Sequence, residues 1–380
     1  MRFSISKNQL ITGISTVEKF VPSKSTVSIL TGIKFAADTD SLRLSATDLE
    51  MGIEYNVKSE SGELSIQEEG SFVISSKILS EISRRMPGDM VEFASKENTV
   101  FITSGDFNLK LPCFDAEDFP DISKIDLSET IVLKQRLFKE MIKQTIFARA
   151  DETTSRPQLT GILIDYKNHV LNMVALDGFR VAWRYEEQLP EEANNPNDFR
   201  VIVPSSTMLE ISRIFKDDED ADFKLYAASN RVEFKTENVL ISSRVLEGDF
   251  IDYAKVMNVE PDTIVKVDTS DFQSAVERAN IIAREGNRNN LVIFNISDDF
   301  IEVKADTELG SISDKVFCDV EGEKLTIAFN ASFFIDALRT IALPKIQLNF
   351  SGSTGPCIIT PEGVDNHKNF ILPVKLGDNY

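Results

Sequence analysis

The residues of this 380-residue chain best suited to covalent or metal chemistry are two histidines and three cysteines, and their spacing works against both uses. Neither His169 nor His367 has a Cys or a second His at ligand spacing, so both read as structural or neutral surface residues of strands or loops. Cys113, Cys318 and Cys357 form no CxxC pair, and an odd number does not make a disulfide framework; a reducing cytoplasm is expected. Neither a GxGxxG run nor a GxxxxGK run ending in Ser or Thr occurs, so a phosphate cradle has no support. Asp48, Asp177 and Asp306 each follow a strand-like run, where Asp ordinarily supports a turn. No nucleophile with a base, metal cluster or cofactor motif emerges, and the chain reads as a non-enzyme.

What remains is charge. The net charge of −20 argues against a polyanionic partner, because phosphate binding rests on Lys and Arg. The distribution is uneven, however. Six windows with helical spacing (7–20, 75–86, 134–149, 205–216, 270–286 and 331–343) hold 15 Lys plus Arg against 8 Asp plus Glu. Those windows carry +7 and the remainder −27. Two readings fit. Either the helices share a mildly basic face in an acidic molecule, or they are simply amphipathic with solvated cations.

The elements that must position these charges repeat. Helical stretches begin near Lys7, Ser75, Lys134, Ser205, Ser270 and Ala331, at intervals of 68, 59, 71, 65 and 61 residues. Each is followed by short alternating segments rich in Val, Ile, Phe and Thr. The LTGI of 30–33 recurs at 159–162. Taken in pairs, the units predict an α+β protein of three tandem domains, 1–127, 128–253 and 254–380, with linkers near Asp115–Leu127 and Asp249–Asp262. No signal-like or membrane-spanning run is read, so a chain neither secreted nor membrane-bound is expected.

The ordered segments SILTGIKF (28–35), SATDLEMGIE (45–54), SRPQLTGI (155–162), ALDGFRVA (175–182), VIVPSSTMLEISRIF (201–215), SSRVLEGDFIDY (242–253) and ILPVKL (371–376) resemble the bacterial sliding clamp, the beta subunit of DNA polymerase III. The resemblance spans the chain. It implies three clamp-type domains in each of two head-to-tail protomers, with helices lining the inside of a ring and sheets outside. It also implies a processivity role: duplex DNA is encircled without sequence preference, a clamp loader opens the ring, and the polymerase III alpha subunit and repair proteins are tethered by short peptide motifs.

By the same resemblance, Lys24, Lys77, Arg84 and Arg156 would face DNA, and Arg149 is added from its place beside a helix. A peptide pocket would be lined by Leu159, Leu176, Gly178, Phe179, Arg180, Val181, Ile251, Lys255, Val256, Pro356, Leu372, Pro373 and Val374. Phe107 and Leu109 of one protomer would meet Ile281 and Ile282 of the other. The sequence departs from the family pattern at Phe179 (usually His), Ile251 (usually Pro), Lys255 (commonly Arg), Ser205-Ser206 (commonly basic), Val27-Ser28 (commonly carrying a Pro) and an added tail, 377–380. Phe179 is expected to enlarge the apolar wall of the pocket. A divergent or second clamp, or a clamp-fold protein scaffold with weak or absent loading on DNA, is the alternative reading.

Overall fold

A computed structural model describes residues 1–59, 62–122, 124–125, 130–187, 198–286 and 290–375. It contains two compact units, one built mainly on Met1–Arg136 and Leu209–Val245, the other mainly on 137–187, Asp198–Met208 and 246–375.

The six expected helices form: α1 (Lys7–Val17), α2 (Ser76–Ser83), α3 (Gln135–Thr145), α4 (Ser205–Ile214), α6 (Thr269–Arg284) and α7 (Ala331–Leu338). A seventh, α5 (Tyr253–Met257), was not legible from periodicity. Each of the six directly follows a strand, and small polar residues make several of the junctions. Ser6 accepts a hydrogen bond from Gln9 N, Asp268 from the amides of Ser270 and Asp271, and Asn330 from Ser332 N. The faces they bury are those the periodicity marks, Leu10, Ile14 and Val17 on α1 and Phe272, Val276, Ala279 and Ala283 on α6.

The first unit holds a five-stranded antiparallel sheet in the order Leu64–Glu68, Arg2–Ser6, Met90–Lys96, Thr99–Ser104, Phe107–Pro112. Its second sheet has eight strands: Ile131–Lys134, Asp222–Ala227, Arg231–Lys235, Val239–Arg244, Met51–Lys58, Ser41–Thr47, Gly32–Ala37 and Gly70–Ser75. The second unit holds nine strands in the order Phe199–Pro204, Gly161–Lys167, Val170–Leu176, Arg180–Glu186, His367–Ile371, Cys357–Pro361, Lys345–Phe350, Thr263–Asp268, Asp319–Gly322. Four more, Gly310–Phe317, Phe300–Thr307, Leu291–Ile296 and Leu325–Asn330, complete it. The two large sheets run without a break across the expected boundaries near 127 and 253.

Phenylalanine fills both cores. Phe3 and Phe93 stack with centroids 4.8 Å apart, and Phe35 lies 5.4 Å from Phe72. In the second unit Phe334 meets Phe294 and Phe329 edge-on at 5.0 Å. Each such ring, fully buried, contributes about 1.5–3 kcal/mol.

Two expectations are corrected. His367 is a buried strand residue, 3% exposed, because it shares the inward face of its strand with Asn369 and Ile371. Asp306 supports no turn: it lies inside the strand Phe300–Thr307, paired with Ser311. His169 is exposed, in a turn with φ of 66°, and Asp48 and Asp177 hold turns as expected.

Candidate functional site

The second unit gathers the apolar pocket residues. The pairing of Val170–Leu176 with Arg180–Glu186 sets Leu176 opposite Val181, and the pairing with His367–Ile371 sets Val181 opposite Phe370. Leu159, Leu176 and Val181 share one buried cluster with Tyr253, Ile358 and Phe370, and partly buried Ile251 and Val256 pack against it. Val256 and exposed Lys255 sit on α5, which Asp252 caps by accepting from Lys255 N at 3.3 Å. Tyr253 anchors that helix: its hydroxyl donates to Asp165 Oδ2 at 2.9 Å, and burial with that carboxylate pushes its pKa up. Where a Pro would stiffen the approach, Ile251 offers its carbonyl to Arg200 Nη2 at 3.2 Å.

Residues 177–180 form a tight turn. Asp177 Oδ1 accepts from the amides of Phe179 (2.9 Å) and Arg180 (3.0 Å), and Gly178 takes a φ of 98° that a side chain would strain. Arg180 is a structural rivet. Its guanidinium reaches Asp177 Oδ2 (2.9 Å), Asp336 Oδ2 (2.7 Å) and the Phe147 carbonyl (2.8 Å), and lies 4.5 Å from the Phe333 ring centroid. Phe179 stands 63% exposed, its ring 6.4 Å from that of Phe333. It thus stands beside Phe333 and is not a member of the Leu159, Leu176, Val181 cluster. The segment after the strand His367–Ile371 follows on: Leu372 N donates to Phe179 O at 2.9 Å and Val374 N to Ala328 O at 2.8 Å, and both residues stay more than a third exposed with Pro373 between them. Pro356 lies two residues before the cluster's Ile358, its carbonyl bonded to Ser351 N. The tail 377–380 lies outside the described residues. Sequence reasoning missed Phe147, Phe333 and Asp336, which only the tertiary fold brings to Arg180.

Of the cations assigned to DNA, Lys24, Lys77 and Arg156 are exposed, Arg149 is half-buried, and none of the four makes an ion pair among the described residues. Arg84, at the end of α2, is paired with Glu18 at 3.3 Å. Ser206 is exposed and uncharged, while Ser205 is buried. The four residues expected at a seam divide between a strand and a helix. Phe107 and Leu109 lie half-buried on Phe107–Pro112, the last strand of its sheet. Ile281 is 60% exposed on α6, with Ile282 half-buried beside it. The edge strand Gly310–Phe317 of the four-stranded sheet and the turn before it add two exposed residues that the sequence had not singled out, Phe317 and Leu309.

Compared with known proteins, the chain is 32% identical to the beta sliding clamp of Staphylococcus aureus, over 99% of both chains, and 31% identical to that of Bacillus subtilis. Models of the N-terminal, central and C-terminal domains of the DNA polymerase III beta subunit match residues 1–123, 132–252 and 254–375. The chain belongs to the DNA polymerase III beta subunit family. Its fold is the three-domain α+β clamp fold. The crystal structure of the Bacillus subtilis sliding clamp superposes with a TM-score of 0.94 at 30% identity, covering 99% of this chain and all of that one. The Thermotoga maritima beta subunit gives 0.88 at 26%. Within this beta-subunit chain, no helix among the described residues is long and apolar enough to cross a membrane.

Proposed function

We propose that two copies of the chain close head to tail into a ring that encircles duplex DNA in the cytoplasm. The ring acts without catalysis of its own, as a tether for the polymerase III alpha subunit and other proteins carrying clamp-binding motifs. The observation that supports this most is the full-length likeness in sequence and structure to DNA polymerase sliding clamps. Physical chemistry agrees with it. A ring holds DNA by topology, so its inner cations need only neutralise phosphates weakly, and strong contacts would act as friction. Lys24, Lys77, Arg149 and Arg156 supply free cations of that kind, while the paired Arg84 supplies less. The edge strands Phe107–Pro112 and Gly310–Phe317 and exposed Ile281 fit a seam between protomers, where edge strands pair and stop inviting other chains. We assign the three domains to 1–127, 128–253 and 254–380, and the peptide slot to the Leu159, Leu176, Val181 cluster with its Phe179 and Leu372 lips.

The test is retention on nicked circular DNA after incubation with a cognate clamp loader and ATP. Retention that is lost when the circle is cut once establishes encirclement. Failure to stay on the circle beside an active loader refutes it and leaves a clamp-fold protein scaffold.

A further inference from the structure

The apolar residues assigned to the slot are closed to a partner in the free chain. Leu159, Leu176, Val181, Ile358 and Phe370 are each no more than 8% exposed. Met257 of α5 is buried in the same cluster, and Val256 of α5 packs against it together with Phe250 and Ile251. A peptide reaches these side chains only where a covering element moves, and α5 with its linker is the cover that lies outside the sheet. Five residues are too few for a helix to hold by itself. Among the described residues, no hydrogen bond ties residues 254–258 to the sheet.

The fastening lies elsewhere on the same sheet face. Side chains alternate along a strand, so Leu176, Val174 and Asn172 share one face and mark three rows across the sheet. The slot row is Leu176, Val181 and Phe370; next comes the row Ile202, Leu163, Val174 and Trp183; then Arg200, Asp165, Asn172 and Tyr185. At about 3.3 Å per residue, the third row lies roughly 13 Å from the first. It is the third row that grips the linker. Asp165 Oδ2 accepts from the Tyr253 hydroxyl at 2.9 Å, and its cross-strand partner Arg200 donates from Nη2 to the carbonyls of Phe250 (3.5 Å) and Ile251 (3.2 Å). Asn172 braces that row, donating to the Asp165 carbonyl at 3.2 Å and accepting from Trp183 Nε1 at 2.9 Å. Trp183 in turn stands edge-on to Tyr253, with centroids 5.3 Å apart. These bonds hold the entry to α5, and Ile251, whose φ no ring fixes, can turn as a hinge once they are released.

We propose that α5 is a lid on the peptide slot and that Asp165 and Arg200 are its latch, so that a bound peptide seats its apolar side chains where Val256 and Met257 lie in the free chain. This rests on the slot assignment made above. Lifting the lid exchanges one set of apolar contacts for another, which leaves the few latch bonds to set how tightly a partner binds.

The test follows amide hydrogen exchange over residues 253–258 and the affinity of a fluorescein-labelled peptide carrying a clamp-binding motif. It compares the wild type with Tyr253→Phe, which keeps the ring and removes the hydroxyl. Peptide binding to the wild type is expected to speed exchange over 253–258, the reverse of the protection that a fixed wall would gain. Tyr253→Phe is expected to speed exchange there without peptide and to tighten peptide binding about fivefold, the weight of one hydrogen bond. Asp165→Asn keeps an acceptor for the hydroxyl and should match the wild type in both readouts. Arg200→Met, at an exposed position, should move both in the same direction as Tyr253→Phe. Protection of 253–258 by bound peptide, or weaker binding to Tyr253→Phe, overturns the lid and leaves the slot standing with α5 as a fixed wall. Unchanged exchange in both free variants overturns the latch. No peptide bound by any of the proteins overturns the slot assignment, and the lid with it.

Discussion

His367 ties the stability of the second unit to pH. It lies 3% exposed, with Nε2 3.5 Å from Thr340 Oγ1 and 3.3 Å from Asn369 Nδ2. Burial, with Arg184 adding repulsion, holds its pKa down to about 4 from the ordinary 6.5. The unfolded chain therefore takes up a proton near pH 6.5 that the native protein refuses until about pH 4. Stability from this group is complete above 6.5, falls as the pH drops through that window, and is level below it. The gap between the two values, at about 1.4 kcal/mol per unit, amounts to about 3.5 kcal/mol, of which about 3 is lost by pH 4. Trp183, the only tryptophan of the chain, pairs in register with Lys368 beside it and reports the unfolding of this unit. Urea titrations followed by Trp183 fluorescence from pH 7.5 to 4 should show the wild type losing about 3 kcal/mol relative to His367→Gln, since carboxylates titrating in that range act alike in both. Parallel curves for the two proteins would refute the reasoning.

Other outcomes follow from the interfaces. Charging both Ile281 and Ile282 to Asp should give folded monomers in sedimentation velocity; an unchanged dimer would contradict the seam. Arg180→Lys cannot span Asp177, Asp336 and the Phe147 carbonyl, and should cost the second unit about 3 kcal/mol in the same Trp183 assay. Leu372→Asp should lower the affinity of a fluorescent clamp-binding peptide at least tenfold with little change in stability, whereas equal affinity would remove that lip from the slot. Lys77→Ala should reduce the salt slope of DNA binding at low ionic strength by about one, and an unchanged slope would place Lys77 away from phosphate.

How much of this was readable in the chain depends on range. Helix starts and the duplicated LTGI turn are local, and the strand-to-helix units followed from them. The burial of His367 was hidden because Asn369 shares its face, so the strand lacks the apolar alternation that marks an inward side. Helix α5 escaped because its five residues are too short for a period, although Asp252, three before Lys255, carried the cap signal. The role of Arg180 depends on Asp336, 156 residues away, a pairing that no spacing rule supplies.

The nine-stranded sheet also sets a timetable for synthesis. Arg180 bonds across to Ile371, so the strand Arg180–Glu186 leaves the ribosome long before its neighbour exists. At about 5–20 residues per second the wait is roughly 10–40 s. During that interval the second domain has an open edge and an unlidded apolar face beside nascent chains of its own kind on the same message. Chaperone capture, or slow codons placed ahead of residue 180 to space the ribosomes, would protect the newborn chain at that open edge.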